Sequence, residues 1–262
     1  MNSFASGWGW IHKKTMKTGT RSTQNKRLKL SMEQADIRVI IPAFNEAKSI
    51  GHVIGDIPEA LVNEVIVVNN ASKDETVLRA EQAGATVLDE PRKGYGRACL
   101  KGIDYLKQMD NPPDILVFLD ADYSDSPDEM DRLVQPIIED DVDLVIGSRA
   151  LGKREKGAMQ PQQIFGNWLA TRLIQLFYGV VFTDLGPFRA IKYKKLLQLN
   201  MQDKTFGWTV EMQVKAAKQG LATAEVPVSY KERIGVSKIS GTLSGTVKAG
   251  YKILYTIFKN LF

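Results

Sequence analysis

Asp114-Ile-Leu-Val-Phe-Leu-Asp-Ala-Asp-Tyr-Ser-Asp-Ser-Pro127 decides the fold. Ile115 to Leu119 is a short apolar run rich in branched residues, too short for a helix, and it reads as a buried parallel strand. Asp120 and Asp122 follow at once. At the C-terminal end of such a strand they stand at the mouth of an open α/β sheet, where ligands bind. Spaced i, i+2 on a bending chain, they can share one hard cation, Mg²⁺ or Mn²⁺, which prefers carboxylate and water oxygens and bridges to substrate phosphates. Ser126-Pro127-Asp128-Glu129 then reads as a capping box with proline at the first helical position. Taken alone, the same residues also fit a solvated acidic turn.

The flanking sequence repeats this pattern. Strands are expected at Ile37–Ile41, Val65–Val68, Ala85–Leu88 and Asp143–Ile146, with helices between them. Ile50, Val53, Ile54 and Ile57 share one helical face. Ser72…Glu75 reads as a second capping box, and Gly84 as the stop of the helix that follows. A helix is expected near Ala98–Met109, after the loop Arg92-Lys-Gly-Tyr-Gly96. Such alternation with short connections predicts an α/β fold, a mainly parallel sheet covered by helices on both faces. Parallel strands share a direction, so the polar groups that end them collect along one edge: Asn45 and Glu46, Asn69, Asn70 and Asp74, Asp120 and Asp122, and Arg149.

Beyond Arg149 the texture changes. Phe165–Val181 is helical, with Phe165, Trp168, Leu169, Leu173, Leu176 and Phe177 on one wide face. Asp184–Arg189 is a loop, Thr209–Gln219 a helix carrying Glu211, and Ala224–Val228 an edge strand that tolerates Pro227. Lys231–Lys238 is a basic loop. Val247–Phe262 sets three lysines opposite an aromatic and aliphatic face, which suits a membrane surface or a dimer contact.

Composition excludes several classes. The net charge of +5 comes from the start: residues 1–31 hold seven Lys/Arg and no Asp/Glu, leaving 28 Lys/Arg against 30 Asp/Glu in the remainder. The body is therefore no basic nucleic-acid binder. The Lys/Ser/Thr-rich start reads as a disordered basic tail over 1–35, with Met32 as an alternative start. One cysteine, Cys99, excludes an internal disulfide and reads as a packing residue. No 18-residue apolar run and no secretory signal are visible. The expected location is cytoplasmic, at a membrane surface.

In their order and spacing, Ile-Pro-Ala-Phe-Asn-Glu (41–46), Asp-Ala-Asp (120–122), Gly-Ser-Arg (147–149), Asp184…Arg189, Trp208…Glu211 and Gly235-Val-Ser-Lys238 resemble the inverting glycosyltransferases of family 2 with the GT-A fold. The resemblance is narrower to dolichyl-phosphate mannose and glucose synthases and their bacterial polyprenyl-phosphate relatives. It implies a GT-A domain over 36–242 and an amphipathic helix over 243–262. A nucleotide-sugar donor is then bordered by Pro42, Asn45, Glu46, Asn70, Asp74, Lys93, Gly94, Asp120, Ala121, Arg233 and Lys238. Asp120 and Asp122 hold Mg²⁺ or Mn²⁺ against the leaving diphosphate. Arg149 and Arg189, with Arg233 and Lys238, supply positive charge to phosphates. A polyprenyl phosphate acceptor is already anionic, so its transfer needs positioning and charge stabilisation more than a base. Asn69-Asn70 departs from the frequent Asp-Asp of the family, and Ser124 stands where its synthases often carry Gln. The alternatives are a hydroxyl acceptor with Glu211 as base, a sugar-nucleotide pyrophosphorylase, and a non-catalytic sugar-nucleotide module.

Overall fold

The computed structural model describes Met32, residues 34–235 and residues 243–261. The segment 1–31, Lys238 and Phe262 lie outside the described residues.

Seven strands form one sheet in the order β3-β2-β1-β4-β6-β5-β7. They are β1 (Ile37–Ala43), β2 (Glu64–Asn69), β3 (Thr86–Asp89), β4 (Ile115–Phe118), β5 (Leu144–Ser148), β6 (Arg189–Lys192) and β7 (Thr223–Pro227). All neighbours pair in parallel except β6, which runs antiparallel to both β4 and β5. β7 is an edge strand, as its proline requires. β6 is not apparent in the sequence: Arg189-Ala-Ile-Lys is four residues long and its first is charged, yet three of the four are buried.

The helices are α1 (Ile50–Gly55), α2 (Thr76–Gln82), α3 (Tyr95–Leu106), α4 (Met130–Glu139), α5 (Pro161–Tyr178), α6 (Tyr193–Leu199), α7 (Trp208–Lys218) and α8 (Leu243–Lys259). Alternation along the strands sends side chains to two cores. Val39, Ile41 and Val117 pack with α1, α2 and α4. Ile40, Leu116 and Phe118 pack with α3 and α5 through α8. Each fully buried Ile or Val of these strands contributes about 1.5–3 kcal/mol by leaving water.

Both expected capping boxes are absent. α2 starts at Thr76 without a side-chain cap from Ser72; the Ser72 hydroxyl instead accepts the Asn45 N–H at 3.0 Å. Pro127–Glu129 is a 3-10 turn, and the Glu129 carboxylate accepts from the N–H and hydroxyl of Ser229, 100 residues away. In each case a long-range partner outcompeted the local one.

α5 and α8 each divide between core and surface. α5 buries Ala170, Thr171 and Ile174, while Phe165, Trp168, Leu176 and Phe177 remain exposed. α8 packs on α5 and α7. It buries Thr256 and Ile257 and exposes Val247, Tyr251, Tyr255 and Phe258. No helix among the described residues is long and apolar enough to cross a membrane.

The two faces of α8 separate in a stability measurement. Ile257→Ala is expected to cost about 2–5 kcal/mol in urea unfolding. Tyr251→Ser stays within about 0.5 kcal/mol of the native chain. Equal effects would mean that α8 is not seated as described.

Candidate active site

The C-terminal ends of β1, β2 and β4 open on a cavity of about 380 Å³. β1 leads to Pro42, Ala43, Phe44 and Glu46, β2 to Asn70, and β4 to Asp120, Ala121 and Asp122. Lys93, Gly94 and Tyr95, at the start of α3, form another wall. Thr205, Phe206 and Arg233 complete it. Its size suits a small-molecule ligand.

The start of α3 is held by close backbone approach. Gly94 has φ 146°, and a Cβ there would lie 2.2 Å from the Lys204 carbonyl oxygen. A Cβ on Gly96 would lie 2.0 Å from that of Asp203. Glycine alone permits this geometry. It aims Tyr95 at the cavity, where its hydroxyl donates to Asp120 Oδ1 at 2.9 Å.

Asp120 and Asp122 are brought together here. Burial, reinforced by the charge of Asp122, pushes the Asp120 carboxyl up to about 7 against the pull of Tyr95, Arg149 and Arg233. Asp122 Oδ1 accepts from the Ser124 N–H and hydroxyl. Its Oδ2 lies 3.0 Å from Arg233, which also reaches Glu46 at 3.3 Å. Arg233 arrives on a segment zipped to the Asp-rich turn: the N–H of Lys231 donates to the Ser124 carbonyl and that of Ile234 to the Asp122 carbonyl. Lys93 sits over the Phe44 ring at 4.3 Å.

No group of three or more His, Cys, Asp or Glu among the described residues is arranged to hold a metal. Two all-oxygen carboxylates that repel each other still fit a hard cation that takes its other ligands from phosphate and water.

Several residues expected to touch a ligand are engaged within the protein, Asn70 among them although it stands on the cavity wall. Asn70 spends its amide on the loop before α3, donating to the carbonyls of Glu90 and Arg92 and accepting from the Gly94 N–H. Asn45, at φ 54°, accepts from the Lys73 N–H and does not line the cavity. Asp74 is exposed outside the cavity. Its partial burial raises its carboxyl, but the Thr76 hydroxyl and the N–H groups of Ala47 and Thr76 outweigh this and hold it low.

Arg189 is fully buried and lines neither this cavity nor the one bordered by Asp184. It donates to the carbonyls of Leu185, Gly186 and Thr209. Burial lowers its guanidinium to about 10. Glu211 is also structural: its carboxylate accepts the N–H groups of Gln202 and Asp203 and pairs with Lys215 at 2.7 Å. It does not line the cavity, so it is not placed to act as a base. Cys99 is buried as expected, its thiol pushed well up by burial.

Arg149 forms a bidentate pair with Asp184 at 2.7 and 2.8 Å and lies over the Tyr230 ring at 5.0 Å. Burial opposes its charge, and Asp184 more than restores it. Asp184 borders a second cavity, of about 300 Å³, with Arg154, Asn167, Trp168 and Arg172. Arg149 lines neither cavity: its partner Asp184 borders the second, and its charge favours the ionised form of Asp120 in the first. Among the described residues neither Arg154 nor Arg172 forms an ion pair. The sequence reading missed both, as well as Tyr95, Thr205 and Phe206. Tyr95 between two glycines was a usable signal; the others depend on distant chain.

The profile of Glycosyl transferase family 2 matches residues 38–199, which carry β1 through α6 and both aspartates. The chain belongs to this family. It is a glycosyltransferase. An uncharacterized glycosyltransferase of Mycobacterium tuberculosis is 32% identical over 81% of this chain and 94% of its own length. The undecaprenyl-phosphate mannosyltransferase of Micrococcus luteus is 30% identical over 80% and 89%. The UDP-N-acetylglucosamine–dolichyl-phosphate N-acetylglucosaminyltransferase of Methanococcus voltae is 29% identical over 84% and 94%. Glucosyl-3-phosphoglycerate synthase of M. tuberculosis, crystallised with Mn²⁺, UDP and phosphoglyceric acid, superposes with TM-score 0.68 at 23% identity, over 87% of this chain and 78% of that one. The fold is the GT-A fold of these enzymes.

The reassigned arginine is testable. Arg189→Leu removes the side-chain donor from the carbonyls of Leu185, Gly186 and Thr209 and is expected to lower the unfolding free energy by about 3 kcal/mol. The acceptor KM of the folded protein stays that of the native chain. A raised acceptor KM with unchanged urea unfolding would return Arg189 to the acceptor site.

Proposed function

We propose that this glycosyltransferase moves a hexose from a nucleoside diphosphate sugar to a polyprenyl phosphate at a membrane surface, with Mg²⁺ or Mn²⁺ held by Asp120 and Asp122. One observation carries the reading: a cavity with two repelling carboxylates is linked, through Arg149 and its partner Asp184, to a second cavity bearing Arg154 and Arg172 beneath exposed aromatic residues of α5. The first arrangement suits a cation and a diphosphate. The second suits an anionic head with an apolar tail.

Leaving-group charge grows as the glycosidic bond breaks, and a bound cation supplies Lewis-acid stabilisation there. Around it, Lys93 and Arg233 add positive charge, and Tyr95 and Ser124 orient the two carboxylates. Arg233 must exchange its partner Asp122 for phosphate when the donor enters. The acceptor phosphate meets Arg154 and Arg172, and needs no base, in keeping with the engaged state of Glu211. The polyprenyl-phosphate substrates in the names of two relatives support this acceptor class. Phe165, Trp168, Leu176, Val247 and Tyr251 give the α5–α8 side an apolar surface, with Lys248 and Lys259 exposed beside it. Such a surface suits the headgroup region of an anionic bilayer.

The metal role is tested by Asp122→Asn, which is expected to lower kcat about 100-fold or more and to abolish Mn²⁺-dependent nucleotide binding in calorimetry without unfolding. Full activity in EDTA would remove the cation from the reading.

A donor panel of UDP-glucose, GDP-mannose and UDP-N-acetylglucosamine, offered with polyprenyl phosphates of long and short chain and with 3-phosphoglycerate, tests the acceptor class. Arg154→Gln with Arg172→Gln is expected to raise the prenyl phosphate KM about tenfold or more and leave the donor KM unchanged. Phe165→Ser with Tyr251→Ser weakens vesicle binding and long-chain turnover and spares the short chain. Turnover of 3-phosphoglycerate alone would replace the lipid acceptor with a soluble one.

A further inference from the structure

α8 touches the turn that lines the first cavity. Lys252 lies on its packed side, and its ammonium sits 2.8 Å from Asp203 Oδ2, with Asp203 7% exposed. The other carboxylate oxygen of Asp203 accepts the N–H groups of Thr205, at 2.7 Å, and Gly207, at 3.2 Å. These bonds fold residues 203–207 into a tight turn that begins α7 and presents Thr205 and Phe206 to the cavity. Gly207 marks a second close approach. A Cβ there would lie 2.6 Å from Thr256 Oγ1 of α8.

The same turn supports the opposite wall. The N–H of Gly96 donates to the Thr205 carbonyl and that of Arg97 to the Lys204 carbonyl, both at 3.2 Å. The first turn of α3 thus rests on 203–205, and it carries Lys93, Gly94 and Tyr95 to the cavity and Tyr95 to Asp120. Glu211 pins the turn from behind through the N–H groups of Gln202 and Asp203. Lys252 neutralises the one carboxylate on which the turn is built.

We infer that Lys252 is a positioning residue for the donor cavity: by pairing with Asp203 it fixes the 203–207 turn, and through that turn both Phe206 and the start of α3. The C-terminal helix is then part of the nucleotide site as well as of the apolar surface. This rests on the reading of the first cavity as a nucleoside diphosphate site. It also means that deleting α8 damages donor binding whatever the acceptor, so a truncation cannot isolate a membrane role.

The experiment compares Lys252→Met, Lys252→Arg and Asp203→Asn in the full chain. Hydrogen exchange without nucleotide reads the link directly. The Gly96 and Arg97 amides are expected to exchange about tenfold faster in Lys252→Met and Asp203→Asn, through easier local opening, and at the native rate in Lys252→Arg. Steady-state kinetics with the best donor of the panel is expected to show the donor KM raised about fivefold by Lys252→Met, kcat within about twofold, and rescue by Lys252→Arg, as suits one ion pair whose carboxylate is buried and whose lysine is partly exposed. Native exchange at both amides in Lys252→Met would overturn the inference, as would a loss of thermal stability with donor KM unchanged. Failure of the native chain to bind UDP or GDP would sink the functional reading, and the exchange measurement would still decide the link.

Discussion

Two carboxylates forced together at a buried strand end are the constraint on which the site depends. β4 delivers Asp120 into an environment that disfavours its charge, two residues from Asp122. Such a pair persists only if its surroundings supply donors and positive charge. The chain supplies them from four directions: Tyr95 from the start of α3, Ser124 from the turn itself, Arg233 from a segment after β7, and Arg149 from the end of β5. The glycines that admit α3 so closely and the backbone bonds that zip 231–234 to the turn serve that one balance.

The strands that end at the site were legible because their signals are local. Ile115–Leu119 followed by Asp-Ala-Asp needs only a few consecutive residues to be read, and the parallel alternation then carries Pro42, Glu46, Asn70 and Lys93 to the same edge. What failed to show in sequence depends on partners far along the chain. Glu129 looks like the end of a capping box, and its carboxylate is taken by Ser229. Glu211 looks like a base on a helix, and it clamps a turn. Residue type announces what a side chain can do, and the fold chooses its partner.

Arginine shows this most clearly. Three arginines shared one expected role, and the structure gives each a different one. Arg233 faces the aspartates with its guanidinium on the cavity wall. Arg149 is locked in a bidentate pair with Asp184, which borders the second cavity. Arg189 has no carboxylate on its guanidinium and uses its planar fork to gather carbonyls from the 185–189 loop and α7. A lysine could not gather those carbonyls in one plane. The arginines that line the second cavity, Arg154 and Arg172, belong to no motif, because each is placed by the fold of the 150–160 segment and the pitch of α5.

The antiparallel strand has a consequence for how the molecule assembles. Among the described residues β6 alone joins β5 to the rest of the sheet: β4 pairs with β6, β6 with β5, and β5 with β7. A nascent chain that has finished β5 therefore carries an open edge on β4 and a strand with nowhere to dock. Once residue 192 is made, β6 and β5 can lock in, and β7 follows after residue 227. The order of the sheet thus imposes a wait of more than forty residues of synthesis after β5 begins, with long-range pairing required at its end, which is the kind of step that slows folding. Until then the edge of β4, which leads straight into the two aspartates, is an unpaired surface in the half-made protein.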